Sequence, residues 1–85
     1  MKTTGYFERS VMRRPDRKDI KREWCERALR NPEHTEVELG GRIRRWIYVA
    51  EVDKYLRVVT LEDGETVHNA LFDRTYARKH RRGAE

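Results

Sequence analysis

The sequence predicts an α+β fold: two N-terminal helices packed on one face of a four-stranded, mainly antiparallel sheet. Three observations carry this. Apolar residues up to Leu29 recur at helical spacing, whereas from Glu36 onward they alternate with period two. No helical pattern separates the strand-like runs, so the strands follow one another as a meander and not through crossovers. Asp63-Gly64 stands between two β-prone runs, and Asp-Gly marks a tight hairpin because both residues tolerate positive φ.

Taken in order, Tyr6, Phe7, Ser10 and Val11 fall on one side of a first helix, with Glu8, Arg9 and Arg13 opposite. Thr3 or Thr4 can cap its start, and Pro15 disfavours helical geometry at Arg14, where the helix should stop. Asp16 or Asp19 opens a second helix whose apolar stripe is Ile20, Trp24, Cys25, Ala28 and Leu29; Asn31-Pro32 ends it. Asp19, Glu23 and Glu26 lie on its solvated side among Lys and Arg neighbours. A strand is expected over Glu36–Leu39, a turn at Gly40-Gly41 and a long strand over Arg42–Val52. Asp53-Lys54 turns into Tyr55–Leu61, and the hairpin returns as Thr66–Asp73. Along Tyr55–Leu61 the face of Leu56 and Val58 is the core candidate, which puts Arg57 on the open face. The last strand is ambiguous, because a shift of one residue exchanges His68 for Asn69 on that face.

Eighty-five residues fit one domain, expected over residues 1–76, with a basic, flexible tail at 77–85. Only 36% of residues are hydrophobic, so the core must be thin. A net charge of +5 and 41% charged residues bias the chain towards polyanions or an acidic partner. A single cysteine excludes an internal disulfide and a cysteine-rich zinc site, and Cys25 lies in the apolar stripe as a small hydrophobe. No metal-ligand spacing and no glycine-rich phosphate loop occur, so no metal and no cofactor are expected. No apolar run is long enough to cross a bilayer and no signal-peptide pattern follows Met1, which places the chain in the cytoplasm, away from membranes.

The groups able to do chemistry gather at the far end of the hairpin. His68 can take or give a proton, and neighbouring arginines would lower its pKa. Arg57 becomes its cross-strand neighbour if the register permits, and Arg74 can reach over the sheet edge. One histidine with two arginines suits RNA cleavage by the 2′-hydroxyl: the imidazole handles a proton and the guanidiniums stabilise the phosphorane. The alternative is a polar strand face on which Asp73 and Arg74 form a local ion pair. A second set combines Arg42, Arg44 and Arg45 with Trp46 and Tyr48. Arg44, Trp46 and Tyr48 share one side of their strand, and such a surface can hold phosphates while stacking bases, unless the two rings belong to the core. Tyr76 and Lys79 extend this basic-aromatic set into the tail, which is either a solvated end or a phosphate-gripping arm.

The order FERSVMRRPDRKDIKREWCERALRNPE, GGRIRRWIYV, LRVVTLEDGETVHNALFDR resembles the small bacterial RelE/BrnT-like proteins of the RelE/ParE superfamily, over about residues 6–76. The shared features are a helix ending Ala-Leu-x-Asn-Pro, an Arg-rich strand with Trp46, the Leu-Arg-Val-Val strand and a last strand ending Asp-Arg. The resemblance implies helices followed by a twisted antiparallel sheet. It also implies a toxin of a type II toxin–antitoxin pair, cleaving mRNA without a metal and often on the ribosome, restrained by an antitoxin with an acidic segment. It points to Arg57 as a phosphate contact and to His68 or Arg74 as the chemical group. The alternative function is a non-catalytic module binding nucleic acid or the ribosome. A third is a structural protein whose sheet edge pairs with another chain, including its own copy.

Overall fold

In the computed structural model, which describes residues 1–80, apolar side chains sort the chain onto two sides of one sheet. A helical turn at Phe7–Val11 and helix α1 (Arg22–Arg30) precede the strands β1 (His34–Val37), β2 (Ile43–Val49), β3 (Lys54–Thr60) and β4 (Val67–Phe72). A further helix, α2, spans Arg74–His80. The strands form an antiparallel meander in the order β1-β2-β3-β4, so the domain is α+β with helices packed on a four-stranded sheet. Among the described residues no helix is long and apolar enough to cross a membrane.

The first face follows the sequence pattern closely. Leu56 and Val58 are fully buried, and with Ile47, Val49, Val67 and Ala70 they meet Phe7, Val11, Ile20, Trp24, Cys25 and Ala28. Burial pushes the Cys25 thiol up to about 12, so it serves as packing and not as a nucleophile. The N-terminal elements are shorter than expected. In the first turn the Met12 N–H donates to the Phe7 carbonyl at 3.0 Å, a widened turn that keeps both Phe7 and Val11 at 0% exposure. Thr4, not Thr3, takes up the orphan Phe7 N–H, at 3.1 Å; the Thr3 hydroxyl donates to Glu8. Neither Asp16 nor Asp19 opens α1. Successive turns bond Arg17 to Arg14 and Ile20 to Arg17, and they drop Ile20 into the core before the helix begins.

The strands also differ in detail. β1 starts at His34 and ends at Val37, while Leu39 projects fully into solvent from the loop that leads to Gly41, at φ +98°. The hairpin after β3 is a longer loop than a two-residue turn. Gly64 bonds back to Leu61, Leu61 pairs with Thr66, and only Gly64 takes positive φ. The Asp63 carboxylate closes the loop by accepting from the Glu65 and Thr66 N–H groups and the Thr66 hydroxyl. Those bonds hold its carboxyl down to about 2.

The largest departure lies in β4. Val59 pairs with Asn69 and Thr60 with Val67, so His68 is an extra residue opposite no partner. This β-bulge resolves the ambiguous alternation: Val67 faces the core on one side of it, and Ala70 and Phe72 face the core on the other. Neither straight register describes the strand. The sheet's second face is not left open either, because α2 lies against it and buries Tyr76 over Trp46 and Tyr55. Residues 77–80, expected in the tail, are helical; residues 81–85 lie outside the described chain.

Candidate functional site

The second face is organised by one carboxylate. Asp73 follows β4 directly and caps α2, its Oδ1 accepting the Tyr76 N–H at 2.9 Å. Its Oδ2 accepts the Trp46 indole N–H at 2.9 Å and lies 3.6 Å from Arg57 Nη1. Burial pushes this carboxyl up, but the indole, the Tyr76 N–H and Arg57 outweigh it and hold it below the usual aspartate value. One side chain thus ties β2, β3 and α2 together. Asp73 pairs with Arg57, and not with the adjacent Arg74.

Around that carboxylate the rings stack. Tyr76 lies parallel to Trp46 at 5.0 Å between centroids and meets Tyr55 edge-on at 5.0 Å. Each ring has a bonded polar tip: the Tyr76 hydroxyl donates to Glu33 and the Tyr55 hydroxyl to the His80 carbonyl. Burial, with the Glu33 carboxylate second, pushes the Tyr76 phenol up to about 12. The His80 ring stacks on Tyr76 at 4.1 Å, and His34 lies 6.2 Å from the same ring.

Beside this aromatic group runs a cleft of about 630 Å³, lined by Arg44, Arg57, Arg74, Lys79, His34 and His80 among others. Its cations are unequally engaged. Arg44 is held by Glu38 at 2.8 Å, which also raises its pKa. Arg57 has its Asp73 contact, but its Nε is buried without a hydrogen-bond partner. Arg74 and Lys79 are exposed, and among the described residues no carboxylate pairs with either. Arg74 also occupies the first turn of α2, where the helix dipole disfavours a cation, so its charge does not serve the helix. His34 Nε2 lies 3.0 Å from Glu36 Oε2, which orients that imidazole. Guanidiniums and an ammonium around a concave surface can hold a phosphodiester, and imidazoles beside them can move protons. Among the described residues no three His, Cys, Asp or Glu side chains cluster as metal ligands.

The structure does not bring His68 to this cleft. Arg57 faces Leu71 across the strands, while the bulged His68 lies at the opposite end of β4 from Arg74. There its Nδ1 meets the Thr4 hydroxyl at 2.9 Å and its ring stacks on Tyr6 at 4.8 Å. Burial, with Arg42 second, lowers its pKa. The expected trio is therefore split into Arg57 with Arg74 on one side and His68 on the other.

The second set divides as well. Arg44, Trp46 and Tyr48 share the α2 face, but Trp46 is 4% exposed and works as core. Arg45 points the other way and donates to the Gly64 carbonyl at 3.2 Å; Arg42 is exposed near His68. Tyr76 is a buried anchor, and Lys79 lines the cleft.

By the element bounds expected from the sequence, His34 falls between the second helix and the first strand, and His80 falls within the tail at 77–85. Readable signals existed for both. Thr35 and Val37 suit a strand that starts at His34, and Asp73 followed by Tyr76, Ala77 and His80 has the cap and spacing of a short amphipathic helix. No protein-family model, curated protein or solved structure matches this chain.

Proposed function

We propose that this chain is a metal-independent endoribonuclease of the toxin type, working on single-stranded RNA in the cleft beside α2. The observation that carries the reading is the grouping of Arg57, Arg74, Lys79, His34 and His80 around that cleft. In this reading one imidazole takes the 2′-hydroxyl proton as the oxygen attacks phosphorus and the P–O5′ bond breaks, and the other imidazole, protonated, gives its proton to the leaving 5′-oxygen. Arg57 and Arg74 stabilise the phosphorane charge. The helices-on-sheet architecture and the resemblance to RelE/BrnT-like toxins support the same class. The cationic rim suits an antitoxin carrying an acidic segment. His68 acts as a structural group, through Thr4 and Tyr6.

Inducing the wild-type chain alone in bacteria should arrest growth and produce new 5′ ends in mRNA by primer extension. Arg74→Ala with Lys79→Ala should relieve both effects, and His68→Ala should relieve neither. Unimpeded growth and intact mRNA at high levels of folded protein would remove the nuclease reading.

A second reading, a non-catalytic RNA- or ribosome-binding module, is favoured by the carboxylates already holding Arg44 and Arg57. It predicts salt-dependent binding of RNA whose length does not change.

A further inference from the structure

α2 separates two depressions, and the second is not used by the chemistry above. Arg74, Ala77 and Arg78 on one flank of the helix look onto a hollow of about 710 Å³. Thr75, Tyr76, Lys79 and His80 look onto the cleft. Leu71, Phe72, Asp73 and Arg74 border both, so Arg74 stands on the ridge between them.

The hollow wraps the β4 edge: its apolar lining comes from Tyr48, Tyr55 and Leu71 on the α2 face and from Phe72 at the edge, while its rim carries Arg17, Lys54, Arg74 and Arg78. Of the bordering carboxylates, two face a guanidinium and one, Asp53, meets only a neutral hydroxyl and keeps its charge. Asp53 accepts the Tyr48 hydroxyl, Asp16 pairs with Arg17 at 3.7 Å, and Asp73 is held by Trp46 and Arg57. Lys54 lies 4.9 Å above the Phe72 ring, and among the described residues no carboxylate pairs with Lys54, Arg74 or Arg78. Three unpaired cations outnumber the one unpaired carboxylate, so a flat apolar body with negative charge at its side fits this hollow. Among the described residues no ligand cluster for a metal cation lies there, and an acyl chain leaves the rim unneutralised.

We infer that this hollow is a nucleobase subsite, taking one splayed base of a single-stranded RNA whose adjacent phosphate is held at Arg74. The inference rests on the reading that the chain works on RNA. It adds where the strand runs: over the first turn of α2, with a phosphate on the ridge, the scissile linkage in the cleft and the next base in the hollow. A duplex does not offer its bases in this way, so the substrate is unpaired.

The test compares two fluorescent hexanucleotides, both 2′-O-methylated so that neither can be cleaved. One is oligouridylate and the other carries abasic sugars throughout. Anisotropy titration of the full chain at low salt should show the uridylate binding about tenfold tighter, the size expected for a stacked base. Proton shifts at the Leu71 methyls and the Tyr48 and Phe72 rings should follow only the base-bearing strand. Tyr48→Ala, with its fold checked by circular dichroism, should bring the two affinities together. Equal affinity of the wild type for both strands, with both weakened by Arg74→Ala, would overturn the subsite and leave the RNA reading standing. Binding of neither strand would remove the RNA reading, and the subsite with it.

Discussion

The two faces of the sheet are built on different principles. The face under the N-terminal elements is aliphatic, assembled by strict alternation along β2 and β3, and closed by Phe7, Val11 and the stripe of α1. Its side chains have almost no polar tips; the Trp24 indole N–H is buried there without a partner. The face under α2 has three buried rings, all with bonded polar tips, and a border of cations. Aliphatic burial is non-directional and supplies bulk stability, whereas stacked rings with bonded tips fix one geometry over a small area. The first face makes the domain fold. The second aims Arg57, Arg74 and Lys79.

That contrast can be broken most heavily from the aliphatic side. Leu56→Ala leaves a cavity in the closed core and should cost about 3 kcal/mol or more, read as a fall in the urea midpoint. Tyr76→Ala should cost less, about 2 kcal/mol, since the ring stack adds ~1 kcal/mol to a modest burial. Its signature differs too: Trp46 emission should shift to the red as its cover is lost, which Leu56→Ala should not reproduce below its transition.

Asp73 belongs to both stability and aim, and two substitutions separate them. Asp73→Ala removes the cap of α2 and the acceptor for Trp46, for a loss of about 1–2 kcal/mol. Asp73→Asn keeps one carbonyl oxygen, enough to cap α2 through the Tyr76 N–H, but it loses the acceptor for the Trp46 indole and releases the Arg57 charge. It should be the more stable variant, and it should bind single-stranded RNA more tightly than wild type. The freed cation should steepen the salt dependence by about 0.7 in slope.

The aliphatic face was legible in the sequence because burial there needs only period, and period survives small errors at element ends. Leu56 and Val58 inside and Arg57 outside follow from alternation alone. The bulge was not legible. One extra residue at His68 lets Val67 and Ala70 share a face, and its cause is non-local, since Lys2 and Thr4 bond to Val67 and cover that edge. His68 would not meet Arg57 in a straight register either, because Arg57 pairs with Leu71 and the position continuing from Val59↔Asn69 is Thr60, on the opposite face. α2 was half legible: Asp73 is a good cap, but a seven-residue helix needs tertiary contacts, among them Tyr76 on Trp46, which lies 30 residues upstream, and the Tyr55 hydroxyl on the His80 carbonyl.

The smallest expected effect concerns His68. Its pKa is lowered in the folded chain, so unfolding takes up protons as the pH falls below the ordinary histidine value of about 6.5. The stability tied to this group is complete above that pH and is lost as the pH drops through the lowered folded value. Urea midpoints measured between pH 7.5 and 5 should therefore fall less steeply for His68→Gln than for wild type. Asp63, held down to about 2, should contribute a separate loss only in stronger acid, absent from Asp63→Ala.

We propose that RNA meets the face under α2 and not the bulge at His68. The direct measurement is the salt dependence of affinity for an uncleavable single-stranded oligoribonucleotide, compared across wild type, Arg74→Ala/Lys79→Ala and His68→Ala. Loss of two phosphate contacts should lower the log–log slope of the double variant by about 1.4 and leave that of His68→Ala at the wild-type value. A slope lowered by His68→Ala and unchanged in the double variant would put RNA at the bulge and not at the face under α2.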